Sequence, residues 1–309
     1  MWTVVDEKSW EIEKSNFGLS LFFCPKYLKV VADVYQLDLN YYCFRKKNKI
    51  QAMVSFFSKN QRIIMPENFS YSPFYIIENI SEAVYFEIND ALIDFLKKSF
   101  KKIFFKFDTR LSDVRPYIWK DFKIQIKYTH LKNNELSSHK SVIKNLSKTF
   151  NEEYSFNVEL PSVNAIKLNL DFLQKLGISK FHCFNYQNLL QKWTEIGYLK
   201  AFNIYKDQEI LCSNLVLVDA NESKAFTILL NNVSEKYAHT LLYQSIIDWC
   251  FKEGITEIDF CGANIPNISI FKSTFNTELK TYYTVSYSRN YGFLKKFVYK
   301  LKGLLRKVL

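Results

Sequence analysis

The spacing of the glycines in this sequence argues against the common phosphate-binding loops. The chain has 309 residues but only seven glycines, and no two glycines lie closer than eight positions apart. Phosphate-binding loops and dinucleotide-binding turns need closely spaced glycines, because backbone N–H groups must approach the phosphates. The sequence therefore argues against an ordinary P-loop NTPase or a Rossmann dehydrogenase.

Cysteine and histidine spacing gives no sign of a metal site. The six cysteines form no Cys-x-x-Cys pair, and the four histidines do not follow a metal-ligand spacing. A zinc site needs such paired ligands, and a small disulfide scaffold needs denser cysteines. We therefore expect reduced, mostly buried thiols and no metal.

One carboxylate stands out by its position. Asp259 lies at the C-terminal end of a short run, Thr256 to Phe260, that we predict to be a buried strand. A carboxylate at a strand end can serve as a general base or orient an amine. The alternative is a structural aspartate whose oxygens are satisfied by neighbouring donors.

The positive charge is concentrated at the C-terminus. The formal net charge is +11, but seven basic residues and no acidic residue follow from Arg289 onward, so the first 288 residues carry only +4. Residues 291–309 repeat apolar side chains at helical spacing, which predicts a basic amphipathic helix. This helix could lie on an anionic membrane surface or dock on its own domain. Because residues 1–288 are only mildly basic, we expect no sequence-specific nucleic acid partner.

No apolar run approaches the ~18 residues that a membrane span requires. A secretion signal begins with a basic region followed by an apolar stretch, and the N-terminus shows no such pattern. We expect a cytoplasmic protein, with the tail offering peripheral attachment at the inner membrane face.

The two halves of the chain repeat one order of elements, namely helix, three strands, helix, strand. In the second half, the pattern predicts helices at 185–196 and 237–252 and strands at 198–205, 209–218, 224–230 and 256–260. In the first half, it predicts helices at 25–35 and 86–100 and extended segments at 39–44, 50–57, 71–77 and 103–107. A strand at 123–130 and a basic amphipathic helix at 135–150 connect them.

This repeat predicts an α+β fold with two mixed-sheet domains in tandem. We expect the first domain and the connecting helix at 1–154, the second domain at 155–290 and the tail helix at 291–309.

Short motifs in a fixed order carry a family resemblance. In the second half they are Trp249-Cys250 followed by Gly254, the strand end 259–262 (Asp-Phe-Cys-Gly) and the segment 271–275 (Phe-Lys-Ser-Thr-Phe). Upstream motifs lie at 23–28, 71–75 and 113–119. Together they resemble the GNAT-superfamily acyltransferases of the Fem-like, tandem GNAT group.

The resemblance implies transfer of an acyl or aminoacyl group to an amine of a cell-envelope or surface-glycan precursor. The expected donor is acetyl-CoA or another acyl-CoA, with aminoacyl-tRNA as the alternative. The expected acceptor is an amino-sugar nucleotide or a lipid-linked glycan precursor. A different class of function is a catalytically silent GNAT-like scaffold at the inner membrane face.

The family motifs nominate catalytic residues. Besides Asp259, Lys272 matches the family's lysine, where an ammonium could hold a phosphate or the leaving group; a solvated helix lysine is the alternative. Tyr282 and Tyr283 could protonate a leaving thiolate or hydroxyl, the task that GNAT enzymes commonly give a tyrosine. Simple packing is the alternative for either tyrosine.

The expected cofactor loop departs from the acyl-CoA pattern. Between the strand at 224–230 and the next helix, Asn231, Asn232, Lys236 and His239 could meet the donor's phosphates, and the helix N-terminus offers unpaired N–H groups. The loop contains no glycine, and Asn276 also replaces the glycine that follows the Phe-Lys-x-x-Phe motif. Both departures make acetyl-CoA a less secure expectation than the fold.

The expected acceptor site lies in the first half. Tyr71, Ser72 and Tyr75 surround Pro73 and could line a pocket, since aromatic faces suit sugar rings; packing is the alternative. Arg115 keeps its charge and could bind an anionic substrate or pair locally with Asp113.

Overall fold

The structure is a computed structural model that describes residues 1–66, 69–133, 137–149, 153–175, 177–230, 235 and 237–289. The tail helix predicted at 291–309 lies outside the described residues. The helices are α1 Glu7–Asn16, α2 Pro25–Tyr35, α3 Glu82–Ser99, α4 Arg115–Trp119, α5 Lys140–Leu146, α6 Val163–Lys175, α7 Lys180–Glu195, α8 Ala238–Lys252 and α9 Pro266–Ser273.

The described strands fill the intervals between the helices. They are β1 Trp2–Val4, β2 Asp38–Lys46, β3 Lys49–Lys59, β4 Arg62–Ile64, β5 Phe74–Ile76, β6 Lys102–Lys106, β7 Lys123–Asn133, β8 Tyr154–Glu159, β9 Leu199–Lys206, β10 Glu209–Asp219, β11 Lys224–Leu230, β12 Glu257–Asp259 and β13 Glu278–Ser288. The predicted α+β class is confirmed.

The chain forms two compact units from discontinuous segments. Unit 1 contains Met1–Glu13, Gln36–Ile126 and the described residues from Tyr282 onward, and unit 2 contains Lys14–Tyr35 and Lys127–Thr281. Each unit therefore takes a segment from the far half of the chain, which a contiguous division at residue 154 does not provide.

In unit 2 the strand order is β7-β12-β11-β10-β9-β8. Strand β12 is parallel to β11, and the other paired neighbours are antiparallel. Helix α8 packs Leu242, Ile246 and Cys250 on one face of the sheet, while α6 reaches the other face, where Asn169 bonds Ser213 at 3.1 Å. Because both faces are covered, β10 is buried along nearly its whole length.

The segment 14–35 is anchored to unit 2 by specific contacts. The Leu21 N–H donates to the Asp219 carboxylate at 2.6 Å. The Tyr27 ring stacks on Trp193 with centroids 4.7 Å apart. Burial raises the pKa of Asp219, and the hydrogen bonds from backbone N–H groups oppose that rise.

In unit 1 the strand order is β1-β2-β3-β4-β6-β13, and β5 also pairs with β3. Helix α3 buries Ile88, Leu92 and Leu96 against the apolar face of this sheet. Strands β4 and β6 are parallel, as β11 and β12 are in unit 2. The helix between two parallel strands thus recurs in both units, as the repeated sequence pattern predicts.

Within the described part of the chain, no helix is both long and apolar enough to span a membrane.

Candidate functional site

The parallel strands of unit 2 separate at their carboxyl ends. They pair over three positions, the last joining Phe226 to Asp259. Strand β11 then continues to Leu230, whereas β12 ends at Asp259. Beyond this point lies a cavity of about 370 Å³. In open α/β sheets, the carboxyl ends of diverging parallel strands are a common place for a ligand.

Two kinds of side chain line this cavity. The apolar part consists of Phe172, Leu173, Ile228, Leu229, Phe260, Ile268 and Phe271. The polar part consists of Asn214, Thr227, His239, Tyr243, Cys261, Asn267 and Lys272. An apolar pocket with a few convergent polar groups is typical of a small-molecule site.

Lys272 holds the turn that follows β12. Its ammonium donates to the carbonyl oxygens of Phe260 at 2.5 Å and Gly262 at 3.0 Å, and also to that of Cys261. An ammonium has three N–H groups, so these bonds use all of them. The side chain is buried, and this burial lowers the pKa of Lys272, while Cys261 and Asp259 oppose the change. Lys272 is therefore bound to backbone rather than solvated.

The backbone of the turn explains how three carbonyls meet one ammonium. Cys261 and Gly262 both adopt left-handed conformations, with φ of 45° and 71°. The Asp259 carboxylate accepts the Cys261 N–H at 2.8 Å and the Thr129 hydroxyl. Asp259 thus fixes the start of the turn and Lys272 fixes its inner side.

Asn276 explains one departure from the family pattern. Its φ is 51°, a left-handed conformation that asparagine tolerates better than most residues. Its side-chain amide also donates to the Ser137 carbonyl. The turn can therefore form with asparagine in place of glycine at this position.

Three buried polar side chains that sequence reasoning missed line the same cavity. Asn214, Thr227 and Tyr243 are all buried and all line the cavity. Burial raises the pKa of Tyr243, while Thr227 and Asn214 lower it in part. A bulge in β10 between Leu215 and Val216 lies beside Asn214, and bulges commonly re-aim side chains near sites. The available signal was one asparagine in a buried apolar strand.

The predicted cofactor residues are only partly described. His239 lines the cavity in the first turn of α8, with its ring 6.5 Å from that of Phe271. Asn231, Asn232 and Lys236 lie outside the described residues. The described residues contain no group of three or more His, Cys, Asp or Glu side chains arranged for a metal.

In unit 1 the segment around Ser72 packs beside β6, the strand that is parallel to β4. Ser72 donates its N–H to the Lys106 carbonyl at 2.7 Å and accepts the Lys106 N–H at 3.0 Å. The Lys106 ammonium bonds the Phe69 carbonyl and lies over the rings of Tyr71 and Tyr282. Tyr71 and Ser72 are only 5% and 8% exposed, so in this structure they pack rather than line an open pocket.

Tyr282 and Tyr283 belong to unit 1. The Tyr282 ring packs edge-on against Tyr71, with centroids 5.6 Å apart. The Tyr283 side chain packs against the unit 1 core, and its carbonyl accepts the Phe107 N–H at 2.9 Å. Neither tyrosine lines the unit 2 cavity.

Tyr75 and Arg115 are separate features of unit 1. Tyr75 lines a second cavity of about 350 Å³ that also contains Arg110 and Asp108, and burial raises the pKa of Tyr75. Arg115 is exposed and pairs with Asp113 at 2.8 Å and Glu82 at 2.6 Å. The structure thus shows the local pairing of Arg115.

Solved structures with similar folds cover nearly the whole chain. FemX aligns with a TM-score of 0.64 over 96% of this chain and 99% of its own, at 11% identity. L-PGS from Bacillus licheniformis aligns with a TM-score of 0.57 over 92% of each chain, at 14% identity. A tandem GNAT protein from the clavulanic acid biosynthesis pathway gives 0.53 over 94% and 98%, at 10% identity.

No family model and no curated protein matches the sequence. At these low identities the structural likeness defines the fold. The chain has a tandem GNAT-like fold similar to those of FemX and the clavulanic acid pathway protein, as the motif resemblance predicted.

Proposed function

We propose that this protein is an N-acyltransferase that moves an acyl or aminoacyl group from an activated donor to an amine. The observation that carries the proposal is the cavity of about 370 Å³ where β11 and β12 separate. It combines an apolar lining with a turn held by Lys272, at the point where the fold leaves its parallel strands unpaired.

The cavity suits the requirements of acyl transfer. An amine attacks an activated carbonyl efficiently when the two are held close and water is excluded. The apolar lining supplies the exclusion. Asp259 and Lys272 act as positioning residues, because their polar atoms contact the turn after β12.

For the donor, we propose an acyl-CoA, acetyl-CoA first, with aminoacyl-tRNA as the alternative. A thioester carried on a narrow flexible arm suits a gap between two strands. His239 lines the cavity at the start of α8, and this position supports a role for it in binding the polar part of the donor. The alternative gains support from the similarity in fold to FemX.

For the acceptor, we propose an amine on a cell-envelope or surface-glycan precursor, as an amino-sugar nucleotide or a lipid-linked glycan. The support is the Fem-like order of motifs together with the FemX likeness. The cavity of unit 1 beside Tyr75 and Arg110 is a candidate binding place for part of this acceptor.

The test is transfer of label by the purified full chain. Radiolabelled acetyl-CoA and a mixture of labelled aminoacyl-tRNAs are offered separately with amino-sugar nucleotides or lipid-linked sugars. The proposal expects label in an acid-stable amide of the acceptor from one donor. Calorimetry with acetyl-CoA then distinguishes the donors, since only an acyl-CoA enzyme gives saturable heat. Absence of transfer from both donors to every acceptor contradicts the proposal.

A further inference from the structure

Two residues that line the unit 2 cavity have buried polar atoms without a hydrogen-bond partner among the described residues. Asn214 is fully buried, and within the described part of the chain neither its amide nitrogen nor its amide oxygen has a hydrogen-bond partner. The Thr227 hydroxyl, on the neighbouring strand β11, is also buried without one. Both side chains line the cavity.

Such groups are unusual in a folded protein. Buried polar atoms are nearly always paired, because an unpaired one loses its bonds to water and gains nothing in return. The same strand shows the ordinary solution one residue earlier, where Ser213 accepts the Asn169 amide at 3.1 Å on the opposite face. Other buried polar atoms of the described residues also lack a partner, among them Asn169 Oδ1 and Asn203 Oδ1, but of this set it is Asn214 and Thr227 that line the cavity.

Tyr243 completes the group. Burial raises the pKa of Tyr243, and the Thr227 and Asn214 side chains lower it in part, although neither side chain meets the geometry of a hydrogen bond. The three side chains together offer amide and hydroxyl donors and acceptors, and none is charged at neutral pH. We call Asn214, Thr227 and Tyr243 the neutral triad.

We propose that the neutral triad binds an uncharged hydrogen-bonding group, a hydroxyl or a carboxamide, on an otherwise apolar chain of the donor. The inference rests on the proposed function, because it takes the occupant of the cavity to be the donor. A carboxamide matches the Asn214 amide, since each offers one acceptor and one donor group.

The surroundings argue against a charged group at this place. No carboxylate lines the cavity among the described residues, so an ammonium would lack a counter-charge. Two basic side chains line the cavity: the Lys272 ammonium already donates to three carbonyls, and the His239 ring lies beside that of Phe271 in the first turn of α8. A charge buried without a partner is far more costly than a neutral polar group.

The rest of the lining accommodates an alkyl chain. Phe172, Leu173, Leu229 and Ile268 present apolar surface around the triad. An apolar chain gains from this burial, and the triad then selects among chains by one polar substituent. Specificity of this kind is strong because the wrong ligand leaves the protein's own polar atoms unpaired.

The experiment uses small probes of one chain length on the intact protein. Ligand-observed NMR measures the binding of pentanamide, 1-pentanol, pentanoate and pentylammonium to wild type, Asn214→Leu and Thr227→Val. The proposal expects pentanamide and 1-pentanol to bind and the two charged probes to bind at least about tenfold more weakly. Asn214→Leu should weaken pentanamide by about tenfold or more.

Matched controls separate binding from folding. Asn214→Leu and Thr227→Val remove unpaired buried atoms at nearly constant volume, so neither should lower the thermal midpoint. Ser213→Ala breaks a satisfied pair on the opposite face, so it should lower the midpoint and leave probe binding unchanged. If Asn214→Leu does not fold, Thr227→Val carries the test with 1-pentanol.

Two sources could supply the neutral group, the acyl chain or the amides of a pantetheine arm, and competition distinguishes them. Pantetheine displaces pentanamide if the arm occupies the triad, and leaves it bound if the acyl chain does. Equal binding of charged and neutral probes, or unchanged pentanamide binding in both variants, overturns the inference. The wild-type transfer assay reports separately on the proposed function, so the two failures are distinguishable.

Discussion

The Lys272 ammonium lies 2.5 Å from the carbonyl oxygen of Phe260 and is buried with it at the end of β12. Together with its bonds to the next two carbonyls, this contact makes Lys272 the residue that shapes one wall of the cavity. Lys272 therefore contributes to the cavity through the turn that it holds.

We expect Lys272→Met to destabilise the protein, because it leaves three backbone carbonyls without their donor. The free energy of unfolding should fall by about 3 kcal/mol, measured by urea unfolding. Transfer should be lost even under conditions where the variant remains folded. Lys272→Arg is the charge-preserving comparison, and a variant with normal transfer despite Lys272→Met would show that the turn does not position the donor.

We expect stability to depend on pH through His130. Its ring nitrogens contact the hydroxyls of Ser269 at 3.0 Å and Thr277 at 2.9 Å. Burial lowers the pKa of His130, and the nearby Lys272 charge lowers it further, while Asp259 opposes this. The unfolded chain therefore takes up a proton at a higher pH than the folded protein does.

The sign follows from that difference. As pH falls below about 6.5, the unfolded state gains protons first, so the free energy of unfolding decreases through the folded-state pKa. Urea unfolding between pH 7.5 and 5.5 measures this slope. His130→Gln keeps a hydrogen-bonding side chain but cannot titrate, so it should flatten the slope; an unchanged slope would assign the dependence to other groups.

Arg115 provides a contrasting expectation. Its guanidinium is exposed and pairs with Asp113 and Glu82, and exposed pairs contribute little to stability. Arg115→Ala should leave both the unfolding midpoint and the transfer rate unchanged within error. A selective rise in the KM for the acceptor would instead show that Arg115 binds an anionic acceptor.

The basic tail remains a prediction of the sequence with a direct test. On sedimentation with anionic phosphatidylglycerol vesicles, we expect the full chain in the vesicle pellet and a variant lacking 291–309 in the supernatant. Neutral phosphatidylcholine vesicles should recover neither, because the attraction requires surface charge. If the full chain also stays in the supernatant with anionic vesicles, the membrane expectation is wrong.

Local sequence signals predicted some elements closely and others not at all. The helix at 25–35 and the strand at 224–230 have the predicted bounds, because proline opens the first and turn residues flank the second. Strand β4 has three residues, too few to form a pattern. The pairing of β13 with β6 joins Ser286 to Phe104, and no local pattern reveals a partner so far along the chain.

The candidate site was foreseen in part for the same reason. Asp259 and Lys272 carry motif signals, and the structure places both at the turn after β12. Their contacts depend on left-handed Cys261 and Gly262, which only the folded backbone shows. Asn214 belongs to no sequence motif. Only the fold shows that it lines a cavity, because residues from several elements form that cavity.

The central claim, that an activated donor occupies the unit 2 cavity during transfer, is tested most directly by filling that cavity. Ile268 is half-buried on α9 and lines the cavity, whereas Ile270 on the same helix is 66% exposed and does not. Label transfer is measured for Ile268→Trp and Ile270→Trp after circular dichroism confirms folding. The account predicts that Ile268→Trp loses transfer by at least about tenfold while Ile270→Trp retains it. Equal transfer by both variants would contradict it.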